Sequence, residues 1–256
     1  MANIKNQKKK YKALILDVDG TIITNKRDAM PSQKVTEAIN NASKKIHVGI
    51  ATSRCYPVAR NIIDHLKLSG PSILNGGGEI VDFPSKNPLL SQPLNKKDIL
   101  YISRIFEKTK IPFLLCDGKN PDKFFKQGKI PEKVFMLFTQ GLELDISQKL
   151  ITSISHIPSI SIYTTRSWTT GKIDILVTHL MATKQHAILK IAKILKIETH
   201  EIIGVGDGYN DFPLLMACGL KVAMGNAVED LKAIADYIAP PVEEDGVADV
   251  IEKFIL

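Results

Sequence analysis

Asp17 and Asp19 stand two residues apart in Ala13-Leu14-Ile15-Leu16-Asp17-Val18-Asp19-Gly20-Thr21, closing an apolar run too short for a globular helix. That run lacks strict alternation, which predicts a strand covered on both faces, as in a parallel sheet flanked by helices. Ligands collect just outside the carboxyl ends of such strands, where both aspartates fall. Two carboxylates this close repel unless a cation lies between them or one keeps its proton. A hard ion such as Mg²⁺ suits them, because it binds through one or two carboxylates together with a substrate phosphate. A second acidic group, Gly206-Asp207-Gly208-Tyr209-Asn210-Asp211, follows the apolar run 201–205. Its glycines permit a tight loop in which Asp211 turns back toward Asp207. Thr52-Ser53 follows a third run, 47–51, and puts hydroxyls where a phosphate oxygen would lie. Lys184 opens a helix, where backbone N–H groups and the dipole already favour an anion.

A framework must bring these positions together. Ser32 caps a helix with Val35, Ala38, Ile39, Ala42 and Ile46 at helical spacing, the crossover to the strand at 47–51. Val58, Ile62, Ile63 and Leu66 mark a second helix, stopped by Gly70-Pro71, and 72–74 reads as a third strand. Asn75-Gly76-Gly77-Gly78 then suits either a close approach to a ligand or a simple turn. The pattern changes from Asp82 to about Leu180. Prolines at 84, 88 and 93 predict a connection, followed by a helix over 96–110, strands over 111–116 and 133–138, a helix over 146–154, and strands over 159–163 and 172–177. Grouped hairpins imply an antiparallel sheet with helices on one face, an α+β unit inserted into an α/β domain. The α/β pattern resumes at Thr183-Lys184, with a helix through Ala187, Ile191 and Leu195. The expected fold is α/β, a Rossmann-like parallel-sheet core (11–81 and 181–256) with an inserted α+β domain (82–180) and a lysine-rich tail (1–10).

At 256 residues the chain has room for one large domain or two smaller ones. Its formal charge of +7 owes much to Lys5, Lys8, Lys9, Lys10 and Lys12, without which basic and acidic residues nearly balance. A short basic end of this kind reads as a solvated tail rather than a nucleic-acid arm. No apolar run approaches the ~18 residues of a membrane helix, and Asp17 breaks the apolar stretch after the basic N-terminus, unlike a secretory signal. Three widely separated cysteines, Cys55, Cys116 and Cys218, suggest neither a disulfide framework nor a zinc site. Reduced thiols fit a cytoplasmic home. The expectation is a cytoplasmic monomer or weak homo-oligomer with a small-molecule partner, and neither nucleic acid nor membrane. Cys55, three residues past Thr52, is expected to be either an inert buried thiol or a site of sensitivity to thiol reagents outside the chemistry.

Asp17-Val18-Asp19-Gly20-Thr21 resembles the DxDGT signature of the haloacid dehalogenase (HAD) superfamily, most of whose members are Mg²⁺-dependent phosphatases. Gly206 to Asp211 is similar to its GDGxND motif, and MATKQHAI around Lys184 to the segment whose lysine binds the phosphoryl group. Asn75-Gly76, the VAMGNA of 222–227 and the EDGV of 244–247 resemble the Cof-like branch, in which the inserted unit is a cap domain. The resemblance implies hydrolysis of small phosphorylated metabolites, above all sugar phosphates, through an aspartyl-phosphate. It makes Asp17 the nucleophile and Asp19 the general acid and then base. Mg²⁺ would be held by Asp17, the backbone carbonyl of Asp19 and Asp207, with Asp211 reaching it directly or through water, while Thr52, Ser53, Lys184 and Asn210 would bind the phosphoryl group. Ser53 stands where Cof-like enzymes commonly have glycine, which implies a different loop shape beside Thr52. A phosphomannomutase-like phosphotransferase and a non-catalytic relative are the competing readings. In the cap, the polar stretch 163–171 carries the only tryptophan, Trp168, close to Arg166. This pair is expected to pack on the cap sheet with a solvated arginine, or else to meet a sugar ring and an anionic group.

Overall fold

The computed structural model describes residues 11–26, 28–119, 130–167 and 171–256. β1 (Ala13–Leu16) is buried at all four positions, as its unbroken apolar sequence requires. Full burial of one such Leu or Ile is worth roughly 1.5–3 kcal/mol, so this strand anchors the core. α1 (Gln33–Ala42) starts where the Ser32 hydroxyl accepts the Val35 N–H at 3.1 Å, and it buries Val35, Ala38, Ile39 and Ala42. Then come β2 (His47–Ile50), α2 (Tyr56–His65) and β3 (Gly70–Leu74). Gly70-Pro71 therefore opens β3 rather than only ending the helix, and β3 lies beside β2 through a parallel bridge from Ala51 to Ile73.

The proline-marked connection is instead a hairpin of β4 (Glu79–Phe83) and β5 (Asn87–Ser91), antiparallel in the order β3-β4-β5. Pro88 is tolerated because β5 is an edge strand, where a missing N–H breaks no ladder. Val81 and Phe83 pack in the core cluster, so Phe83, just inside the expected inserted stretch of 82–180, still belongs to the core's packing. Beyond them α3 (Lys96–Thr109), β6 (Leu114–Cys116), β7 (Met136–Leu142), α4 (Leu144–Ile154), β8 (Ile160–Arg166) and β9 (Ile173–His179) form a four-stranded antiparallel sheet, β6-β7-β9-β8. β7 runs past the expected end at 138, because Gln140-Gly141, which resembles a turn, is a bulge whose Gly141 N–H reaches Asp174 Oδ1 at 2.8 Å. Ile102, Phe106, Leu150 and Ile154 of the helices meet Leu115, Leu137, Ile175 and Val177 of the strands in a second core.

The chain returns through α5 (Lys184–Leu195), β10 (Ile202–Gly206), α6 (Phe212–Ala217), β11 (Leu220–Ala223), α7 (Glu229–Ala233), β12 (Tyr237–Ile238) and α8 (Gly246–Phe254). The main sheet is parallel, in the order β12-β11-β10-β1-β2, with α1 against α8 and α5 against α6. Leu16 stands level with both Ile50 and Val205. Asp17, Ala51-Thr52 and Gly206-Asp207 therefore leave the sheet side by side, at the point where the strand order reverses.

Candidate active site

Asp17 leaves β1 only 4% exposed, its N–H donating to Val205 O at 2.9 Å. Gly20 then turns at φ 79°, and a Cβ there would lie 2.1 Å from Asp207 Oδ2, so the glycine clears room for the second acidic loop. Thr21 donates its hydroxyl to Asp207 Oδ1 at 3.2 Å, and Asn226 Nδ2 holds Gly20 O at 2.8 Å. The Asp-Gly-Thr sequence thus docks one acidic loop against the other. Gly20→Ala is expected to cost about 1–3 kcal/mol from backbone strain alone, read as a lower Tm, with a parallel loss of phosphate release as Asp207 is displaced.

Lys184 is the first residue of α5 and is buried. Its Nζ donates to Asp17 Oδ1 at 2.5 Å and to Asp211 Oδ1 at 2.6 Å. Asp211 Oδ2 accepts the Asp207 and Gly208 N–H groups, both at 3.0 Å, so both oxygens of Asp211 are engaged in holding its neighbours. The glycine run 76–78 has a packing reason: Gly77, at φ 110°, lies so close to the Thr183 backbone that a Cβ would fall 2.3 Å from its carbonyl carbon. That backbone contact seats the start of α5, and with it Lys184, over β1.

Carboxylate oxygens of Asp17, Asp207 and Asp211 lie within 4.8 Å of one another, against the single ammonium of Lys184. Burial, and next the Asp211 charge, hold the Asp17 carboxyl well above the usual range in spite of Lys184. Burial and Asp211 likewise push Asp207 up to about 7. Burial works against the Lys184 ammonium, but Asp17 and Asp211 outweigh it and raise that pKa. Three acids sharing one cation lack positive charge, and a divalent ion is the species that would satisfy them.

Asp19 points elsewhere. Arg54 grips it in bidentate fashion, Nε to Oδ2 at 2.9 Å and Nη2 to Oδ1 at 2.6 Å, while the Arg54 N–H donates to Thr52 Oγ1 at 3.1 Å. Arg54, the partner of Asp19, is the residue that sequence reasoning missed; the only signal was an arginine two places after a strand-end threonine. Asp17, Asp19, Ser53, Lys184, Asp207 and Asn210 line one cavity of about 550 Å³, whereas Thr52 and Asp211 are buried outside its lining. The roof of this cavity is the helix-free face of the cap sheet, where Met136, Phe138, Tyr163 and Leu176 present apolar surface beside Asp174 and Thr178. Trp168 lies outside the described residues, and of Arg166 only its place at the end of β8 is described.

A strand-end aspartate, an acidic loop beside it and a roofing cap sheet are the arrangement expected of a HAD-type hydrolase. The family model for haloacid dehalogenase-like hydrolases matches residues 14–126 and 118–251. The chain belongs to that family, and it is a phosphoric monoester hydrolase of the Cof-like branch. It is 29% identical over 251 residues to the 5-amino-6-(5-phospho-D-ribitylamino)uracil phosphatase YcsE of Bacillus subtilis, covering 96% of each chain. It is 23% identical to a phosphoglycolate phosphatase of Methanosarcina acetivorans, covering 95% of this chain and 96% of that one. The fold is shared with the HAD subclass IIB sugar phosphatase BT4131, at a TM-score of 0.76 and 23% identity, covering 95% of this chain and 98% of that one. No described helix is long and apolar enough to cross a membrane.

Proposed function

We propose that this chain is a Mg²⁺-dependent phosphatase of small phosphorylated metabolites, working through an aspartyl-phosphate on Asp17. The observation that carries it is the cluster of buried Asp17 and Asp211 with half-buried Asp207 beside Lys184, open on one side to the cavity. Asp17, Asp207 and the backbone carbonyl of Asp19 would hold Mg²⁺, which supplies charge neutralisation and polarises phosphoryl oxygens. Asp211, with both oxygens engaged, positions Lys184 and the 207–208 loop and would reach the ion through water.

Asp17 attacks phosphorus, so that its carboxylate O–P bond forms as the P–O bond to the leaving alcohol breaks. Asp19 gives that alcohol a proton, then takes one from the water whose oxygen displaces Asp17 and frees inorganic phosphate. Ser53, Asn210 and Lys184 orient and neutralise the phosphoryl oxygens, with Thr52 behind them fixing the Arg54 backbone. The Arg54 fork occupies both Asp19 oxygens, so the ion pair must open before Asp19 can reach the leaving alcohol. An incoming phosphoryl dianion competes for the guanidinium and supplies that release. Arg54→Lys keeps the charge but loses the fork; a fall in kcat/KM of about tenfold or more is the expected result in a steady-state assay, a bidentate charge-assisted contact being worth roughly 1.5–3 kcal/mol.

The substrate we propose is a phosphorylated sugar or polyol whose far end rests on the apolar cap face. Support comes from that face and from the relative named for a phosphoribitylamino-uracil, whose ring is a group of the kind such a surface suits. Phe138→Ala should raise KM for a ring-bearing polyol phosphate by about tenfold, a loss of some 1–3 kcal/mol of pocket contact, and leave acetyl phosphate hydrolysis unchanged. Cytoplasmic location and a monomeric or weakly associated state belong to the same proposal. A panel of phosphorylated sugars, polyols, glycolytic acids and nucleotides with Mg²⁺ tests it. Release of inorganic phosphate is expected; transfer of the phosphoryl group to a second sugar hydroxyl would make the chain a mutase, and no turnover on any member would make it a binding protein.

A further inference from the structure

Asp174 lines the cap side of the catalytic cavity, and the chemistry at Asp17 gives it no role. Alternation along β9 turns Asp174, Leu176 and Thr178 toward the cavity, while Ile175 and Val177 pack in the cap core. Asp174 is only 4% exposed and shares the roof with Met136, Phe138 and Tyr163. A bulge fixes its orientation. Thr139 stands level with Ile175 and Leu142 with Ile173, so Gln140 and Gly141 together oppose the one position of Asp174, and the Gly141 N–H donates to Oδ1 at 2.8 Å. Oδ2 has no hydrogen-bond donor among the described residues, which leaves it as the acceptor the roof offers to a ligand. Lys184, the one cation among the described lining residues, is held by Asp17 and Asp211.

We propose that Asp174 is the specificity-determining residue of this cavity: its carboxylate accepts a hydrogen bond from a hydroxyl at the far end of the phosphorylated substrate and turns away substrates that carry a second anionic group there. This rests on the reading of the chain as a phosphatase of sugar and polyol phosphates. A carboxylate offers acceptors and no donor, and burying one without a donor is costly, so a ligand hydroxyl that reaches Oδ2 satisfies it. Apolar neighbours lower the local dielectric, which strengthens that bond and equally strengthens the repulsion of a ligand carboxylate or second phosphate. With Lys184 committed to Asp17 and Asp211, no described cation lines the roof to offset such an anion. Asp174 holds the end of the substrate remote from phosphorus and takes no part in breaking the P–O bond.

Sorbitol 6-phosphate and 6-phosphogluconate test this, since they differ only at C1, a CH2OH group in one and a carboxylate in the other. With the full chain and Mg²⁺, kcat/KM for the polyol phosphate should exceed that for the acid by about tenfold or more, the effect of a hydrogen bond to a charged group. Asp174→Asn keeps the shape and an oxygen for the Gly141 N–H but removes the charge. It should raise KM for sorbitol 6-phosphate, lower KM for 6-phosphogluconate and bring their ratio close to one, while hydrolysis of acetyl phosphate, which has no far end, is unchanged. Equal kcat/KM for the pair on wild type overturns the proposal, as does an unchanged ratio in Asp174→Asn, or an equal fall on all three substrates, the mark of a role in the fold alone. The wild-type comparison needs no variant, so it decides the matter even if Asp174→Asn misfolds. Calorimetric dissociation constants of the pair for Asp17→Asn with Mg²⁺ should show the same preference without turnover. If wild type hydrolyses none of the three, the phosphatase reading fails; tighter binding of sorbitol 6-phosphate then still supports the role of Asp174, and equal binding overturns it.

Discussion

Asp17→Asn is expected to abolish phosphate release, by at least about 10³-fold, while making the metal-free protein more stable. The amide keeps the shape of the carboxyl but cannot attack phosphorus, so turnover stops with the fold intact. Stability rises because wild type forces three carboxyls around the one ammonium of Lys184. The sign follows from linkage: Asp17 and Asp207 are both raised above their unfolded values, Asp207 to about 7. A carboxyl raised on folding stabilises the protein while protonated, and that contribution is lost as pH climbs from the unfolded pKa through the folded one. Chelator-treated wild type should therefore lose stability from about pH 4 toward neutrality, and Asp17→Asn should lose less. Thermal melts across that range, with chelator and again with Mg²⁺, check both statements. A variant less stable than wild type at neutral pH without metal would show that the cluster is not short of positive charge.

Lys184→Met carries the second large effect, of opposite sign on stability. The ammonium is buried and is the cation that Asp17 and Asp211 share, at 2.5 and 2.6 Å. Removing one partner of a buried ion pair leaves the other uncompensated, at a cost of about 3–5 kcal/mol. Activity should fall about 10³-fold as well, because the phosphoryl oxygens lose the group that neutralises them. Mg²⁺ should restore part of the Tm and little of the rate. If the rate recovers with the Tm, Lys184 acts only on the fold; circular dichroism of the variant at low temperature separates these outcomes from outright misfolding.

Much of this was legible in the chain, and the reason is the parallel sheet. Strands covered on both faces appear as short unbroken apolar runs, so β1 and β10 announce themselves, and the polar residues that follow them must lie at their carboxyl ends. The shared exit point of Asp17 and Asp207 then depends on register, with Leu16 level with Val205, which no local pattern encodes. Arg54 escaped notice for the same reason, since its partner Asp19 follows the neighbouring strand, 35 positions away. The β4-β5 hairpin was hidden by prolines that an edge strand tolerates and a central strand does not. The glycine run at 76–78 read equally well as a turn; only the packing of Gly77 on Thr183 shows what the missing Cβ is for. Asp211 meets Lys184 and Thr52 meets the Arg54 N–H, but the burial of both outside the cavity lining depends on tertiary packing.

The most direct test of the aspartyl-phosphate is rapid acid quench of the enzyme turning over its best phosphomonoester with Mg²⁺, followed by peptide mass analysis. The account predicts a phosphoryl group on the peptide carrying Asp17, appearing within one turnover and absent from Asp17→Asn. Steady release of phosphate with no phosphorylated peptide, or with the phosphoryl group on a residue other than Asp17, would contradict it.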